Sequence, residues 1–163
     1  MSTKPTNPKD AIADGRLPLA LVPDTVPAYA SIAFAEGALK YGAYNWRITG
    51  VRMSVYIAAI RRHLVRLQNG EWADPKTGVP HLASVIAGAG IILDAHACGK
   101  LSDDRPPAAP MGEVFDELEG VFAGLREMFA DRSPTHLTVM DHLPSDSGLQ
   151  LVGASERHFG DMT

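Results

Sequence analysis

The stretch from Val79 to Cys98 constrains this chain most. Read as a helix from about Pro80 to Ala97, stopped by Gly99, it carries Leu82, Val85, Ile86, Ile91, Ile92 and Leu93 on nearly every side. A helix without a polar face must be enclosed. His81, Asp94, His96 and several glycines make the run too polar and too glycine-rich for a membrane span. The enclosing surface is therefore protein: other helices of the chain, or another copy. Ala83, Ala87, Gly88, Ala89 and Gly90 are small enough to let a neighbouring helix come close.

Two partners precede it. A first helix is predicted from Val26 or Pro27 to about Tyr41, with Asp24 or Thr25 as cap, Pro27 in the first turn and Gly42 as stop. Its expected buried face combines Ile32, Ala35 and Leu39 with Ala28, Phe34 and Ala38. A polar loop follows, Tyr44 to Gly50. A second helix is expected from Met53 or Ser54 to Gly70, with Val55, Ile57, Ala58, Ile60, Leu64, Val65 and Leu67 as its apolar stripe. After a linker-like run, Asp103 to Pro110, Val114, Phe115, Leu118, Val121, Phe122, Leu125 and Phe129 recur at helical spacing over about Met111 to Ala130. His136 to Met140 reads as a short strand and the last fifteen residues as poorly ordered. The fold class is all-α, a helical bundle. Residues 1–25 form an extended arm that Leu17, Leu19, Leu21 and Val22 could anchor, 26–105 a helical core domain, and 106–163 a C-terminal helix and tail.

The chain has 19 acidic against 15 basic side chains, a net charge of −4. A nucleic-acid polymer would usually select a basic surplus, so none is expected as a partner. Cys98, the lone cysteine, cannot form an intrachain disulfide and is expected as a buried small hydrophobe. No apolar signal core opens the chain. The expected location is the cytoplasm, the host's if the chain is phage-encoded, with no membrane partner.

Polar residues collect at helix ends and on one helix face. Glu36 and Lys40, four apart, suit a solvated pair as well as a functional one. Asn45, Trp46 and Arg47 share a loop: the indole can pack back on the core or stack on a base, and Arg47 can grip phosphate. Arg61, Arg62, His63 and Arg66 form the dense basic cluster. Arg62 and Arg66, one turn apart, suit solvent, which turns His63 toward the side of Ile60. Glu71 and Asp74 share a loop and could share one cation, with His81 near in sequence. Oxygen ligands with an open position suit magnesium and hence phosphate substrates. Asp94, about 20 Å along the helix from His81 at about 1.5 Å per residue, reads as a helix-end or interface residue.

Several runs fit a known pattern in order and spacing: Lys4-Pro-Thr-Asn-Pro-Lys-Asp-Ala-Ile12, Glu36-Gly-Ala-Leu-Lys-Tyr-Gly-Ala-Tyr-Asn-Trp-Arg47, Arg62-His-Leu64, Asn69-Gly-Glu71 and Asp74-Pro-Lys-Thr-Gly-Val-Pro-His-Leu-Ala83. Over about residues 4 to 107 the chain resembles the phage dATP/dGTP diphosphohydrolase N-terminal family, which is similar to the MazG-like all-α nucleotide pyrophosphohydrolases. The resemblance implies a hydrolase dependent on Mg2+ or Mn2+ that converts a purine deoxynucleoside triphosphate to monophosphate and pyrophosphate. It implies Glu36, Glu71 and Asp74 as metal ligands, and Glu36, His63, Glu71 and His81 as catalytic groups, with His63 or His81 a ligand or the group that orients water. Lys40 and Arg47 would take phosphate, Tyr41, Asn45 and Trp46 would line base or sugar, and Arg61 would join them in binding substrate. A homodimer or homotetramer is implied by the resemblance together with the all-round apolar helix. Two other readings stand beside it: a non-catalytic protein that sequesters a nucleotide signal, and a purely structural module.

Overall fold

The computed structural model describes residues 16–138 and Asp141. The chain divides into two compact units, Met1–Pro107 and Ala108–Thr163. In the first, a 3-10 turn at Leu19–Leu21 leads into α1 (Thr25–Tyr41), the short α2 (Trp46–Thr49), β1 (Val51–Arg52), α3 (Met53–Gln68), α4 (His81–Ala97) and β2 (Leu101–Ser102). In the second, α5 spans Met111–Met128. Among the described residues the chain is all-α apart from one two-stranded parallel pair, Val51 opposite Leu101 and Arg52 opposite Ser102.

Helix α4 is the centre of the first unit, packed against α1 on one side and α3 on the other. Its small residues allow this. A Cβ added at Gly88 would lie 3.0 Å from Cγ1 of Ile60 on α3, and one at Gly90 would lie 3.2 Å from Cζ of Phe34 on α1. The glycines are therefore the two seats on which the flanking helices rest. Ala83, Ala87 and Ala95 are buried along the same helix, with Ala30 and Ala33 of α1 and Val79 of the preceding loop. The core is thus built of small side chains, and its largest fully buried one is His81.

Several expectations are corrected. On α1 the buried positions are Ala30 and Ala33, with Phe34 half-buried, while Ile32, Ala35 and Leu39 point outward. On α3 the inward stripe is Met53, Tyr56, Ile60, His63 and Leu67, and Val55, Ile57, Leu64 and Val65 are exposed. Both helices have two apolar faces, and the small residues of α4 select the face with the closer fit. Asp24 stands at the N-cap of α1, but its side chain makes no capping bond. The loop after α1 holds a helical turn, entered through Tyr44 at φ 56° and left through Gly50 at φ 74°. Cys98 is exposed, because α4 ends at Ala97 and the chain turns away at Gly99.

Leu17, Leu19, Leu21 and Val22 are exposed as well, and the arm's first fifteen residues lie outside the described residues. His136 to Thr138 form no strand; the remainder of that segment, Val139 and Met140, and the last fifteen residues lie outside the described ones. Helix α5 shows the expected spacing, and Phe115, Leu118, Val121, Phe122 and Leu125 on it are exposed. Among the described residues no helix is long and apolar enough to cross a membrane.

Candidate functional site

Because α1 and α3 lean on opposite sides of α4, a cleft of about 380 Å3 opens between them with α4 as its floor. Each helix supplies residues at one-turn spacing, the requirement for sharing a face. Helix α1 gives Ala33, Glu36, Gly37, Lys40 and Tyr41; α3 gives Tyr56, Ala59, Ile60 and His63; α4 gives Ser84, Ala87, Gly88 and Ile91. Asn45 and Trp46 close one end. Six residues singled out in the sequence, Glu36, Lys40, Tyr41, Asn45, Trp46 and His63, thus share one concave surface. Tyr56 and Ser84 also line it and have no place in the motif-based set. Their signal is helical register: Tyr56 lies two turns before His63, and Ser84 one turn before Ala87 and Gly88.

Lys40 Nζ donates to Glu36 Oε1 at 2.7 Å at the cleft wall. That bond holds the Lys40 pKa above its ordinary value, so the ammonium stays charged. Burial raises the Tyr56 phenol, which stays neutral. His63 is pushed below the usual imidazole range, first by burial and then by His81, Arg66 and Arg62, which favours the neutral ring at neutral pH.

Behind the cleft, His63 is tied to the loop between α3 and α4. Its Nδ1 lies 2.9 Å from Nδ1 of His81, and His81 Nε2 lies 3.1 Å from Glu71 Oε1. His81 is fully buried at the first turn of α4. The loop that presents Glu71 and Asp74 is a closed turn. Asp74 Oδ1 accepts from the backbone N–H groups of Lys76 and Thr77, and an antiparallel bridge joins Ala73 to Pro80. Those two backbone bonds are the main reason the Asp74 pKa is lowered. Arg66 Nη1 donates to both Glu71 Oε1, at 3.3 Å, and Asp74 Oδ2, at 3.2 Å. Glu71 and Asp74 lie three apart in this loop, where the sequence reading places them.

Asp94 keeps its expected helix-end place, in the last turn of α4, and three other placements differ from expectation: that of Arg47, that of Arg61, and that of Glu36, Glu71 and Asp74 together. Asp94 is an intrachain anchor: Oδ2 accepts from Trp46 Nε1 at 2.6 Å and Arg47 Nε at 2.8 Å, and Oδ1 from Arg47 Nη2 at 2.7 Å. The Arg47 and Trp46 bonds hold its pKa down to about 2. Arg47 therefore spends its fork on Asp94, sits 4.7 Å from the Tyr44 ring centre, and lines the neighbouring, largely apolar hollow of about 590 Å3 on the other side of Trp46. Arg61 is exposed and does not line the cleft. Glu36, Glu71 and Asp74 do not gather: among the described residues no three His, Cys, Asp or Glu side chains are placed to hold one metal ion.

A family profile described as dATP/dGTP diphosphohydrolase, N-terminal, matches residues 6–105, a span that holds every element of the cleft. A dATP/dGTP diphosphohydrolase of Salmonella phage PMBT28 is 30% identical over 107 residues, covering 66% of this chain and 36% of the relative. The match thus spans about a third of that curated relative's length. No solved structure matches. The chain belongs to the dATP/dGTP diphosphohydrolase N-terminal family.

Proposed function

We propose that the cleft between α1 and α3 binds a purine deoxynucleoside triphosphate and hydrolyses it to the monophosphate and pyrophosphate. One observation carries this reading: a lysine, an asparagine, aromatic rings and a histidine converge on one cleft of ligand-pocket size in a chain of this family. The charged Lys40 takes phosphate by exchanging Glu36 for it. Trp46, Tyr41 and Tyr56 offer aromatic faces to base or sugar, and Asn45 offers both donor and acceptor to a base edge. His63 serves the attacking water.

Within one chain the donors do not fit a metal cage, since Glu36 is held by Lys40 while Glu71 and Asp74 share Arg66. Mg2+ or Mn2+ is proposed as a companion of the triphosphate oxygens, an ion type that keeps few protein ligands. The same carboxylate arrangement favours a second reading, a binder that holds the nucleotide intact.

A homodimer or homotetramer belongs to the proposal. A core of alanines around one histidine buries little apolar surface, while Tyr29, Ile32, Leu39, Val55, Leu64 and Val65 stay exposed on the outer faces of α1 and α3. Exposed apolar surface on this scale is what a second copy covers.

The test is incubation of the pure protein with each deoxynucleoside triphosphate, with and without Mg2+ or Mn2+, and chromatography of the products. The proposal expects metal-dependent monophosphate and pyrophosphate from dATP or dGTP, abolished by His63→Gln. Intact nucleotide co-eluting with the protein would transfer the assignment to the binder.

A further inference from the structure

The contacts behind the cleft form a line of three groups, Glu71, His81 and His63. With both rings neutral, proton counting along it has one solution; an imidazolium at His81 would donate from both nitrogens and leave the His63 proton on Nε2. A carboxylate oxygen only accepts, so His81 Nε2, 3.1 Å from Glu71 Oε1, must carry a proton. A neutral imidazole has one N–H. A neutral His81 then has a bare Nδ1, which accepts across the 2.9 Å contact from Nδ1–H of His63. His63, whose burial favours the neutral ring, is left with its lone pair on Nε2. Its ring lines the cleft, and its Nδ1 is occupied by the contact with His81.

We propose that Glu71 and His81 are positioning residues that fix His63 in the Nδ1–H tautomer and so present Nε2 as the proton acceptor of the cleft. This rests on the hydrolase reading for its chemistry. A water oxygen bonds to phosphorus of the α,β-anhydride, one P–O bond of the bridge breaks with its electron pair leaving on oxygen, and the water proton passes to His63 Nε2. The buried histidine and the loop carboxylate never touch substrate; they set which nitrogen of the cleft-lining ring is basic, the task that partners behind a working histidine perform elsewhere. His63 and His81 thus have separate roles, although the sequence offers them as interchangeable.

The experiment is long-range proton–nitrogen NMR on the full chain carrying 15N-histidine, with the two rings assigned through His63→Gln and His81→Gln. The expected spectrum shows His63 protonated on Nδ1 and bare on Nε2, and His81 the reverse. Glu71→Leu removes the acceptor, should drive His63 toward the Nε2–H form, and should lower kcat by about 10- to 100-fold with KM little changed. His63 in the Nε2–H form in the unaltered chain overturns the inference, as does a His63 tautomer indifferent to Glu71→Leu. Should Glu71→Leu fail to fold, the tautomer of the unaltered chain decides alone. The expected tautomers in a chain that hydrolyses nothing would overturn the hydrolase reading and leave the relay standing, read then by movement of the His63 Nε2 signal on adding dGTP.

Discussion

Two glycines that line the same cleft respond oppositely to added volume. Gly37 on α1 has no atom within 4 Å of the place a Cβ would occupy, whereas at Gly88 on α4 that Cβ would meet Cγ1 of Ile60 at 3.0 Å and Cδ1 at 3.4 Å. Replacing a helical glycine by alanine gains roughly 0.8–1.0 kcal/mol, so Gly37→Ala should stabilise the fold by about that amount. Gly88→Leu gains a similar propensity term but inserts a side chain where Ile60 already sits, and overpacking costs about 1–3 kcal/mol. The net expectation for Gly88→Leu is a loss of about 1 kcal/mol. The two variants should differ by about 2 kcal/mol. With a urea slope near 1–2 kcal/mol per molar for a domain of this size, the unfolding midpoints should stand about 1–2 M apart. The assay is equilibrium urea unfolding at one fixed protein concentration, because any assembly makes stability concentration-dependent. Gly88→Leu should also weaken dGTP binding by prising α3 from the cleft floor. A Gly88→Leu chain as stable as Gly37→Ala would refute the packing argument, and so would a destabilised Gly37→Ala chain.

Two further outcomes follow from the same geometry. Asp94 has a folded-state pKa depressed to about 2 from 3.8, so its contribution is present above about pH 4 and lost as pH falls through about 2. Trp46 emission in a Trp72→Phe background should report that acid transition, and Asp94→Asn should remove it; an unchanged transition would show that Asp94 does not hold Trp46. Gly50→Ala places a side chain at φ 74° with its Cβ 2.8 Å from the Lys100 carbonyl oxygen, and should cost about 1–3 kcal/mol, read as a lower Tm. A Tm at or above that of the unaltered chain would contradict the β1–β2 junction described.

Much of this architecture is legible in the sequence, and the misses share one cause. Helix α4 announces itself because an all-round apolar helix has to be central, and α1 and α3 follow from their caps, glycine stops and periodicity. Which face of α1 or α3 turns inward is not legible. Ile32 and Leu39 are larger than Ala30 and Ala33, so hydrophobic size selects the wrong stripe. Burial here follows closeness of fit to Gly88 and Gly90, a property of the neighbouring helix. The cleft residues on α1 are visible because Glu36, Lys40 and Tyr41 fall within one turn or so of each other. Tyr56 is missed because it sits in an apolar run, Val55 to Ile60, with no motif residue beside it. Arg47 is misread because its partner Asp94 lies 47 residues away, and no local pattern pairs them. The relay from Glu71 through His81 to His63 joins a loop to two helices, so spacing places the three near one another without ordering them.

The central claim is that the triphosphate sits between α1 and α3. The direct measurement is amide and side-chain NMR of the full chain titrated with an α,β-methylene analogue of dGTP, which cannot be cleaved at the bridge. With the ligand in the cleft, shifts concentrate at Lys40, Asn45, the Trp46 indole, Tyr56 and His63. Shifts confined to the hollow lined by Pro27, Phe34, Tyr44 and Arg47, or to the groove between Thr49 and Lys100, would place the ligand elsewhere and contradict it.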